Sequence, residues 1–316
     1  MAKRKRTGDG GRGAAAEHPR KTLKAEEPSK QTQSHPQESI AIQIITGSYE
    51  RVLHGITATI PQSFENEPSS DSVQFADTFL FQAHESAIRC LALSPIPDAD
   101  DNKPQNITLA SGGTDDRINL YSISTSPVKA GESYPVPTLA GNKVLENPRN
   151  QELGSLIHHS GSITALHFPT RSKLLSAAED NNVCVTKTRG WTVVSTIKAP
   201  QPKVQGRPSG DTAPPGGTPA GINDFAVHPS MKLMLSVGKS EKCMRLWNLV
   251  TGKKAGVLNF GREVLVAANE RKWSSGEGRK ITWDSQGEEF AVTFERGAVA
   301  FGIVSAIASS LDTARL

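Results

Sequence analysis

The sequence predicts an all-β fold that is built from several similar sheets. Short apolar or alternating runs recur between Gly, Asp, Asn, Ser and Pro, which is the pattern of strands joined by turns. Convincing amphipathic helices are absent, and the 27 glycines and 20 prolines fit turns better than long helices. Three segments also share one order of residues, so the sheets are expected to be copies of a single unit.

The predicted strands follow one another from Ile40 to Val304. In chain order they are the runs 40–46, 51–60, 75–81, 87–93, 107–113, 117–123, 162–168, 173–179, 182–187, 191–197, 222–227, 232–238, 243–249, 280–283, 289–294 and 298–304. Alternation with a period of two places successive side chains on opposite faces, as a half-buried strand requires.

The chain is expected to divide into a basic tail, a strand-rich body and a short C-terminal tail. Residues 1–39 hold one large apolar residue, Leu23, and are predicted to be disordered because they cannot bury a core. Strands are expected over 40–304, and a C-terminal tail over 305–316. Inserts rich in Pro, Gly and polar residues predict loops of low complexity near 95–106, 126–152, 200–219 and 268–279.

Three segments align residue by residue. A His stands four residues before an Ile at the start of a strand in the first two, and Thr218 takes that place in the third. A Ser on the next strand, an acid in a tight turn and a residue six positions after the acid follow. The aligned residues are His84, Ser111, Asp115 and Tyr121 in the first segment, His159, Ser176, Asp180 and Thr186 in the second, and Ser236, Glu241 and Trp247 in the third.

This order of His, Ser, Asp and an aromatic residue resembles the WD40 repeat, in which each unit forms one four-stranded blade of a β-propeller. Stacked blades bury polar groups, which need partners inside the protein. A His that bonds to a turn Asp and, through Ser, to an aromatic ring provides such partners. The aligned residues are therefore interpreted as structural and not as catalytic.

The number of blades falls below the usual count. Residues 40–81 supply three strands of a first blade, the three aligned units supply three more blades, and 255–304 supply a divergent fifth. WD40 propellers usually close with seven blades, so about five of an expected seven are visible. The prediction is an open or incomplete ring with exposed apolar faces, unless five blades close by themselves or two chains pair.

Several segments resemble the PAK-interacting WD40 family in particular. They are GSYERVLHGITA (47–58), LIHHSGSITALHF (156–168), LLSAAEDNNVCV (174–185), HPSMKLMLSVGKSEKCMRLWNLVTGKKAGVLNF (228–260) and ITWDSQGEEFAV (281–292). That family includes a nucleolar assembly factor of the large (60S) ribosomal subunit, and some members are described as negative regulators of p21-activated kinases. The resemblance implies pre-60S assembly factors and ribosomal proteins as partners, or a p21-activated kinase.

The positive charge is concentrated in the tail. Residues 1–30 carry nine basic and four acidic side chains, whereas the remainder carries 27 basic and 28 acidic ones. Two basic clusters in the tail indicate a nuclear-import patch or a contact with rRNA phosphates. Their residues are Lys3, Arg4, Lys5, Arg6, Arg20 and Lys21. The alternative is a solvated tail that carries no targeting signal. With the resemblance, the patch predicts a nuclear and nucleolar location.

The sequence shows no sign of a catalytic, metal or membrane protein. It contains no G-x-S-x-G, P-loop or H-E-x-x-H motif and no run of 18 apolar residues. Cys90, Cys184 and Cys243 are sparse and lack C-x-x-C spacing, which argues against disulfides and a zinc site and favours a reducing compartment. No enzyme activity and no cofactor is therefore expected. The predicted function is a scaffold in 60S assembly and rRNA maturation, and the alternative is a kinase-binding adaptor.

Overall fold

The computed structural model describes residues 39–61, 73–96, 105–126, 136–137, 143–144, 146–200, 221–270 and 274–302. These residues form twenty strands in five sheets and one short helix, so the predicted all-β class is confirmed. The predicted disordered segment 1–39 and the predicted C-terminal tail 305–316 lie outside the described residues. The exception is Ser39, which begins the first strand.

Sheet 1 consists of β1 (Ser39–Gly47), β2 (Val52–Pro61) and β3 (Gln74–Gln82), with two very short strands added beside β3. The short strands are β7 (Val136–Pro137) and β8 (Lys143–Val144), and β8 runs parallel to β3. The insert near 126–152 was expected to be a loop throughout. It instead returns to sheet 1, where the Val144 side chain becomes buried, and its last two residues begin a strand of sheet 2.

Sheets 2 to 4 are four-stranded antiparallel sheets with their strands in chain order. Sheet 2 holds β4 (Ile88–Leu93), β5 (Asn106–Gly113), β6 (Ile118–Ser124) and β9 (Gln151–Leu156). Sheet 3 holds β10 (Ile163–Thr170), β11 (Lys173–Ala178), β12 (Asn182–Lys187) and β13 (Thr192–Lys198). Sheet 4 holds β14 (Ile222–Val227), β15 (Leu233–Gly238), β16 (Cys243–Asn248) and β17 (Lys253–Asn259). Each of these sheets contains one of the three aligned segments and adds a fourth strand to it.

Sheet 5 has three described strands, β18 (Lys280–Trp283), β19 (Glu289–Thr293) and β20 (Ala298–Gly302). The helix α1 (Arg262–Ala267) lies between β17 and β18. No helix was expected. The segment REVLVA follows Gly261 with a Glu in its first turn, but it is a single short piece and so gave no periodic signal.

Consecutive sheets pack face to face through their first strands. The strand β10 contacts β4 and β5, β14 contacts β10 and β11, and β18 contacts β14 and β15. Apolar side chains fill the spaces between the sheets, for example Ile118 with Ile163, and Val183 with Met234. Each sheet therefore relies on its neighbours for burial, as propeller blades do.

The face of sheet 1 that points away from sheet 2 is apolar and partly open to solvent. On β1, Ile45 packs against the core shared with sheet 2, while Ile40, Ile42 and Ile44 alternate with it and are 41–50% exposed. The exposed side chains of this face match the apolar open face that the sequence predicts. The total number of blades and the closure of the ring stay predictions.

Hydrogen exchange should distinguish the sheets. We expect residues 281–302 of sheet 5 to exchange faster than residues 156–187 of sheet 3, because sheet 3 packs between sheets 2 and 4 whereas the described contacts of sheet 5 with another sheet are with sheet 4. Exchange measured by mass spectrometry on peptides from both segments gives the comparison. Equal protection of the two segments would show that sheet 5 has a neighbour on both sides.

Candidate functional site

The first aligned unit joins a buried imidazole to a carboxylate and a hydroxyl. His84 Nδ1 lies 3.0 Å from Asp115 Oδ1, and His84 Nε2 lies 2.8 Å from Ser111 Oγ. The His84 side chain is fully buried, and Ser111 is fully buried as well. Asp115 also accepts a bond from the backbone N–H of Glu85, at 3.2 Å. The carboxylate thus holds the loop before β4 against the turn after β5.

Tyr121, the fourth aligned residue of this unit, lies on β6 and is 7% exposed. The pKa of its hydroxyl is raised to about 12, mainly by burial and further by the charge of Glu152. Hydrogen bonds with Ser111 and Asn119 act in the opposite direction and lower the pKa. The structure thus brings all four aligned residues of the first unit together.

The second unit repeats this geometry. His159 Nδ1 lies 3.0 Å from Asp180 Oδ2, and His159 Nε2 lies 2.8 Å from Ser176 Oγ. Burial alone would lower the pKa of His159, but its hydrogen bond with Asp180 and contributions from Cys184 raise it to about 9. Burial would likewise raise the pKa of Asp180, but hydrogen bonds from His159 and Asn182 lower it to about 2. An ionised pair is therefore favoured here.

The ring that the second unit lacks at Thr186 is replaced by a neighbouring imidazole. Thr186 is fully buried, and its Oγ1 lies 3.4 Å from His158 Nε2. His158 stands directly before His159 in the chain, and the ring centroids of the two lie 5.5 Å apart. His158 is a residue of the loop between β9 and β10 and is not one of the aligned residues. The two consecutive histidines were the signal that the sequence offered. An alignment compares residues at equivalent positions, so it cannot show that His158 occupies the space beside Thr186.

The third unit departs most from the pattern. Trp247 Nε1 donates to Ser236 Oγ at 2.8 Å, so these two aligned residues do meet. Glu241 does not join them, because its carboxylate pairs with Arg245 in two hydrogen bonds, one of them 2.6 Å long. Thr218, which takes the place of the His, lies outside the described residues.

Backbone geometry explains the displacement of Glu241. The left-handed residue in the turns of the first two units follows the acid: Asp116 (φ 62°) follows Asp115 and Asn181 (φ 63°) follows Asp180. In the third unit the left-handed residue is Ser240 (φ 58°), which precedes Glu241. The acid therefore follows the left-handed residue in this turn and does not precede it, and it pairs with Arg245 on β16.

A second acidic residue contacts this turn from the segment that precedes β18 of sheet 5. Glu277, 6% exposed, accepts a bond from the backbone N–H of Ser240 at 2.5 Å. Glu277 carries no signal in the sequence, because it lies 37 positions from its partner, inside an insert that was expected to be a loop.

Polar contacts also join consecutive sheets. Glu179, in the turn after β11, pairs with Arg89 on β4 at 2.8 Å and with Lys239 in the turn after β15 at 3.5 Å. Asp224 on β14 accepts the backbone N–H of Ile281 on β18 at 3.0 Å. Burial raises the pKa of the Asp224 carboxyl despite the nearby Lys280. These contacts fix the spacing between sheets 2, 3, 4 and 5.

The import residues Lys3, Arg4, Lys5, Arg6, Arg20 and Lys21 all lie outside the described residues. Within the described ranges, no group of three or more His, Cys, Asp or Glu side chains is placed to hold a metal ion. The helix in the described part of the chain is too short to cross a membrane.

Two segments of the chain match the model of a known repeat. The family model for the WD domain, G-beta repeat, matches residues 76–122 and 150–186, which cover most of sheet 2 and much of sheet 3. The sequence prediction of WD40 repeats is therefore confirmed for these two segments.

Individual proteins that are similar to this chain indicate which WD40-repeat proteins it resembles. The chain is 25% identical over 251 residues to the p21-activated protein kinase-interacting protein 1-like protein of Danio rerio, a match covering 79% of this chain and 48% of the relative. It is 29% identical over 266 residues to Protein MAK11 of Saccharomyces cerevisiae, with the same coverage. It is 26% identical over 217 residues to Shk1 kinase-binding protein 15 of Schizosaccharomyces pombe, covering 69% of this chain and 46% of the relative.

These matches confirm the resemblance to the PAK-interacting WD40 family that the sequence segments indicate. The aligned part of this chain spans about half the length of each of these relatives.

The turn acid of the first unit offers a test of the network. We expect Asp115→Ala to lower the free energy of unfolding by about 1–3 kcal/mol, because His84 and the Glu85 N–H lose a buried acceptor. Thr186→Val should cost less, since it removes one hydroxyl with a 3.4 Å contact. Urea unfolding measures both. Asp116→Asn removes a neighbouring charge as the control, and equal stability of Asp115→Ala and this control would contradict the expectation.

Stability should also depend on pH through His159. Its folded pKa of about 9 exceeds the usual value of 6.5, so its stabilising contribution is complete below pH 6.5 and is lost as the pH rises toward 9. The free energy of unfolding of His159→Asn should therefore change less than that of the wild type between these two pH values. His167→Asn is the matched control, because partial loss of solvation lowers the pKa of His167, so this residue gains little charge in this window. Identical pH dependence of all three proteins would be evidence against the ionised pair.

Proposed function

We propose that the protein is a non-enzymatic WD40 scaffold in the assembly of the large (60S) ribosomal subunit and in rRNA maturation. The observation that carries the proposal is the similarity, over about four fifths of the chain, to relatives of the PAK-interacting WD40 family. The family that the sequence resembles includes a nucleolar assembly factor of this subunit. A stack of rigid sheets is suited to hold several partners at fixed separations.

The aligned residues act as structural supports in this proposal. His84, Ser111 and Asp115 fix one loop to one turn, and His159 and Asp180 do so in the next sheet. Each polar group uses its capacity for hydrogen bonds within the blade, which leaves the exposed loops to contact partners. Function of this kind requires a stable surface and no reacting group.

In this proposal the basic tail acts as the targeting signal. Lys3, Arg4, Lys5 and Arg6, with Arg20-Lys21 further along, would direct the protein to the nucleus and from there to the nucleolus. The same charges would add salt-dependent contacts with rRNA phosphates. The expected partners are pre-60S assembly factors and ribosomal proteins.

A second candidate function is an adaptor that binds and negatively regulates a p21-activated protein kinase. The relatives from Danio rerio and Schizosaccharomyces pombe carry kinase-interacting and kinase-binding names, and this favours the candidate. The adaptor would bind the regulatory segment of the kinase without RNA and would not need the basic tail.

Affinity purification with mass spectrometry, with and without ribonuclease, tests the two functions against each other. The scaffold should recover ribosomal proteins and assembly factors of the large subunit from nuclear extract, and it should co-sediment with pre-60S particles. Recovery of a kinase alone, unaffected by ribonuclease, would replace the scaffold with the adaptor. A purely cytoplasmic distribution would also contradict the scaffold.

The tail can be tested separately from the sheets. We expect a variant with Lys3, Arg4, Lys5 and Arg6 all changed to Ala to move toward the cytoplasm without loss of thermal stability, because the tail precedes the first strand. Fluorescence microscopy of tagged proteins measures the shift, and Arg20→Ala with Lys21→Ala serves as the comparison. An unchanged nuclear signal in the fourfold variant would show that this patch is not the principal address.

A further inference from the structure

A groove with a volume of about 380 Å³ opens between sheets 3 and 4, and neither proposed function uses it. The turns β10–β11, β14–β15 and β16–β17 border it through Thr170, Met231 and Val250. Asp180 stands in the turn between β11 and β12, and antiparallel connections place successive turns at opposite ends of a sheet. The groove is therefore at the end of these sheets opposite to the pair of His159 and Asp180.

The walls of the groove are aliphatic and partly open to solvent. Leu175 on β11 and Val185 on β12 stand opposite each other in the register of sheet 3. From sheet 4, Val227 and Leu249 pack against the same apolar core and are only partly buried. Met231 is 49% exposed at the border of the groove. This end of the packing between the two sheets thus leaves apolar surface that another molecule can cover.

The lining favours an aliphatic group over a flat ring. The described residues that line the groove are apolar except for Thr170 and Lys173, and none of them is aromatic. Proteins that bind single-stranded nucleic acid stack the bases on aromatic rings, which this lining lacks. Methionine adapts its shape to its neighbours, so Met231 is suited to pack against a branched aliphatic side chain.

Charge at the border of the groove is positive. Lys173 lines the groove at the start of β11, and Lys187 is its partner in the register of β12. Because side chains alternate along a strand, both lysines project from the same face of sheet 3 as Leu175 and Val185. Lys232 stands across the groove, in the turn between β14 and β15. All three lysines are exposed, and none of the ion pairs within the described ranges involves them.

The segments that form the groove and its border contain no Asp or Glu; they are 169–175, 185–191, 227–233 and 247–254. Asp284 and Glu288 belong to sheet 5, which packs against the other face of sheet 4. Arg171 is occupied elsewhere, because its guanidinium donates to the backbone carbonyl of Asn106 at 3.2 Å. The apolar groove therefore has a border of lysines without neighbouring acids of its own.

We propose that this groove docks an acidic segment of a partner protein. The segment inserts one leucine or similar aliphatic side chain between sheets 3 and 4 and places its carboxylates beside Lys173, Lys187 and Lys232. The buried apolar anchor supplies most of the affinity, whereas the charges orient the segment and speed its association. The inference concerns a surface of two sheets and holds for either proposed function.

Titration calorimetry of the full chain with acetyl-Glu-Asp-Leu-Asp-Glu-amide tests the site. We expect a Kd below about 1 mM for this peptide. The same peptide with Ala in place of Leu should bind about tenfold more weakly, because the anchor loses most of its apolar surface. Acetyl-Lys-Lys-Leu-Lys-Lys-amide keeps the anchor and reverses the charge, and it should bind more weakly still.

Two variants, each with a matched control, connect binding to the groove. Lys173→Glu combined with Lys187→Glu should weaken binding about tenfold, with a smaller loss at high salt. Lys198→Glu is its control, since this exposed lysine lies on β13 of the same sheet toward the opposite end. Met231→Ala should weaken binding about threefold. Val194→Ala on β13, where the side chain is 65% exposed, is the control for the lost apolar surface.

The outcomes that would overturn the proposal are distinct. No binding at about 5 mM peptide or equal binding of the Ala peptide would exclude the anchor. A loss in Lys198→Glu or Val194→Ala equal to that in the matched variant would place binding elsewhere. Tighter binding of a uridine decamer than of the acidic peptide, lost when Lys173 and Lys187 are reversed, would replace the peptide with RNA.

Discussion

Buried imidazoles determine much of this structure, because a polar ring between packed sheets is stable only when both of its nitrogens have partners. His84 and His159 meet this requirement in the same way, with a turn carboxylate at Nδ1 and a strand hydroxyl at Nε2. The bonds connect a loop, a turn and a strand that are distant in sequence. In sheets 2 and 3 these contacts hold the loop before the first strand against the second strand and the turn that follows it.

The three units meet the same physical demand with different residues. The second places the His158 ring beside Thr186, where the first has Tyr121. The third pairs Glu241 with Arg245, so its turn acid neutralises a cation on a neighbouring strand. Such exchanges are possible because the requirement is a satisfied set of donors and acceptors, and several side chains can supply it. A strict residue pattern therefore underestimates how regular the architecture is.

The insert between β6 and β9 shows how a loop can contribute to a neighbouring sheet. Its composition predicts irregular structure, yet β7 and β8 extend sheet 1. The same insert leads into Glu146, and the β9 strand that follows supplies Glu152; both line a cleft between sheets 1 and 2. Segments of two sheets form that cleft, so neither repeat considered alone reveals it.

The sequence by itself determined most of the strands and the repeat, because alternation and the order of His, Ser and Asp are local signals with a fixed period. The strands β7, β8, β9 and β17 were not among those it predicts. It also paired His84 with Asp115, residues that the unit brings together by its own strand connections. Only the tertiary structure decided where Glu241 and Glu277 bind and that the rings of Phe81 and Tyr121 meet between sheets 1 and 2. Those contacts depend on turn geometry and on packing between sheets, and such distances are not encoded in the spacing of residues along one strand.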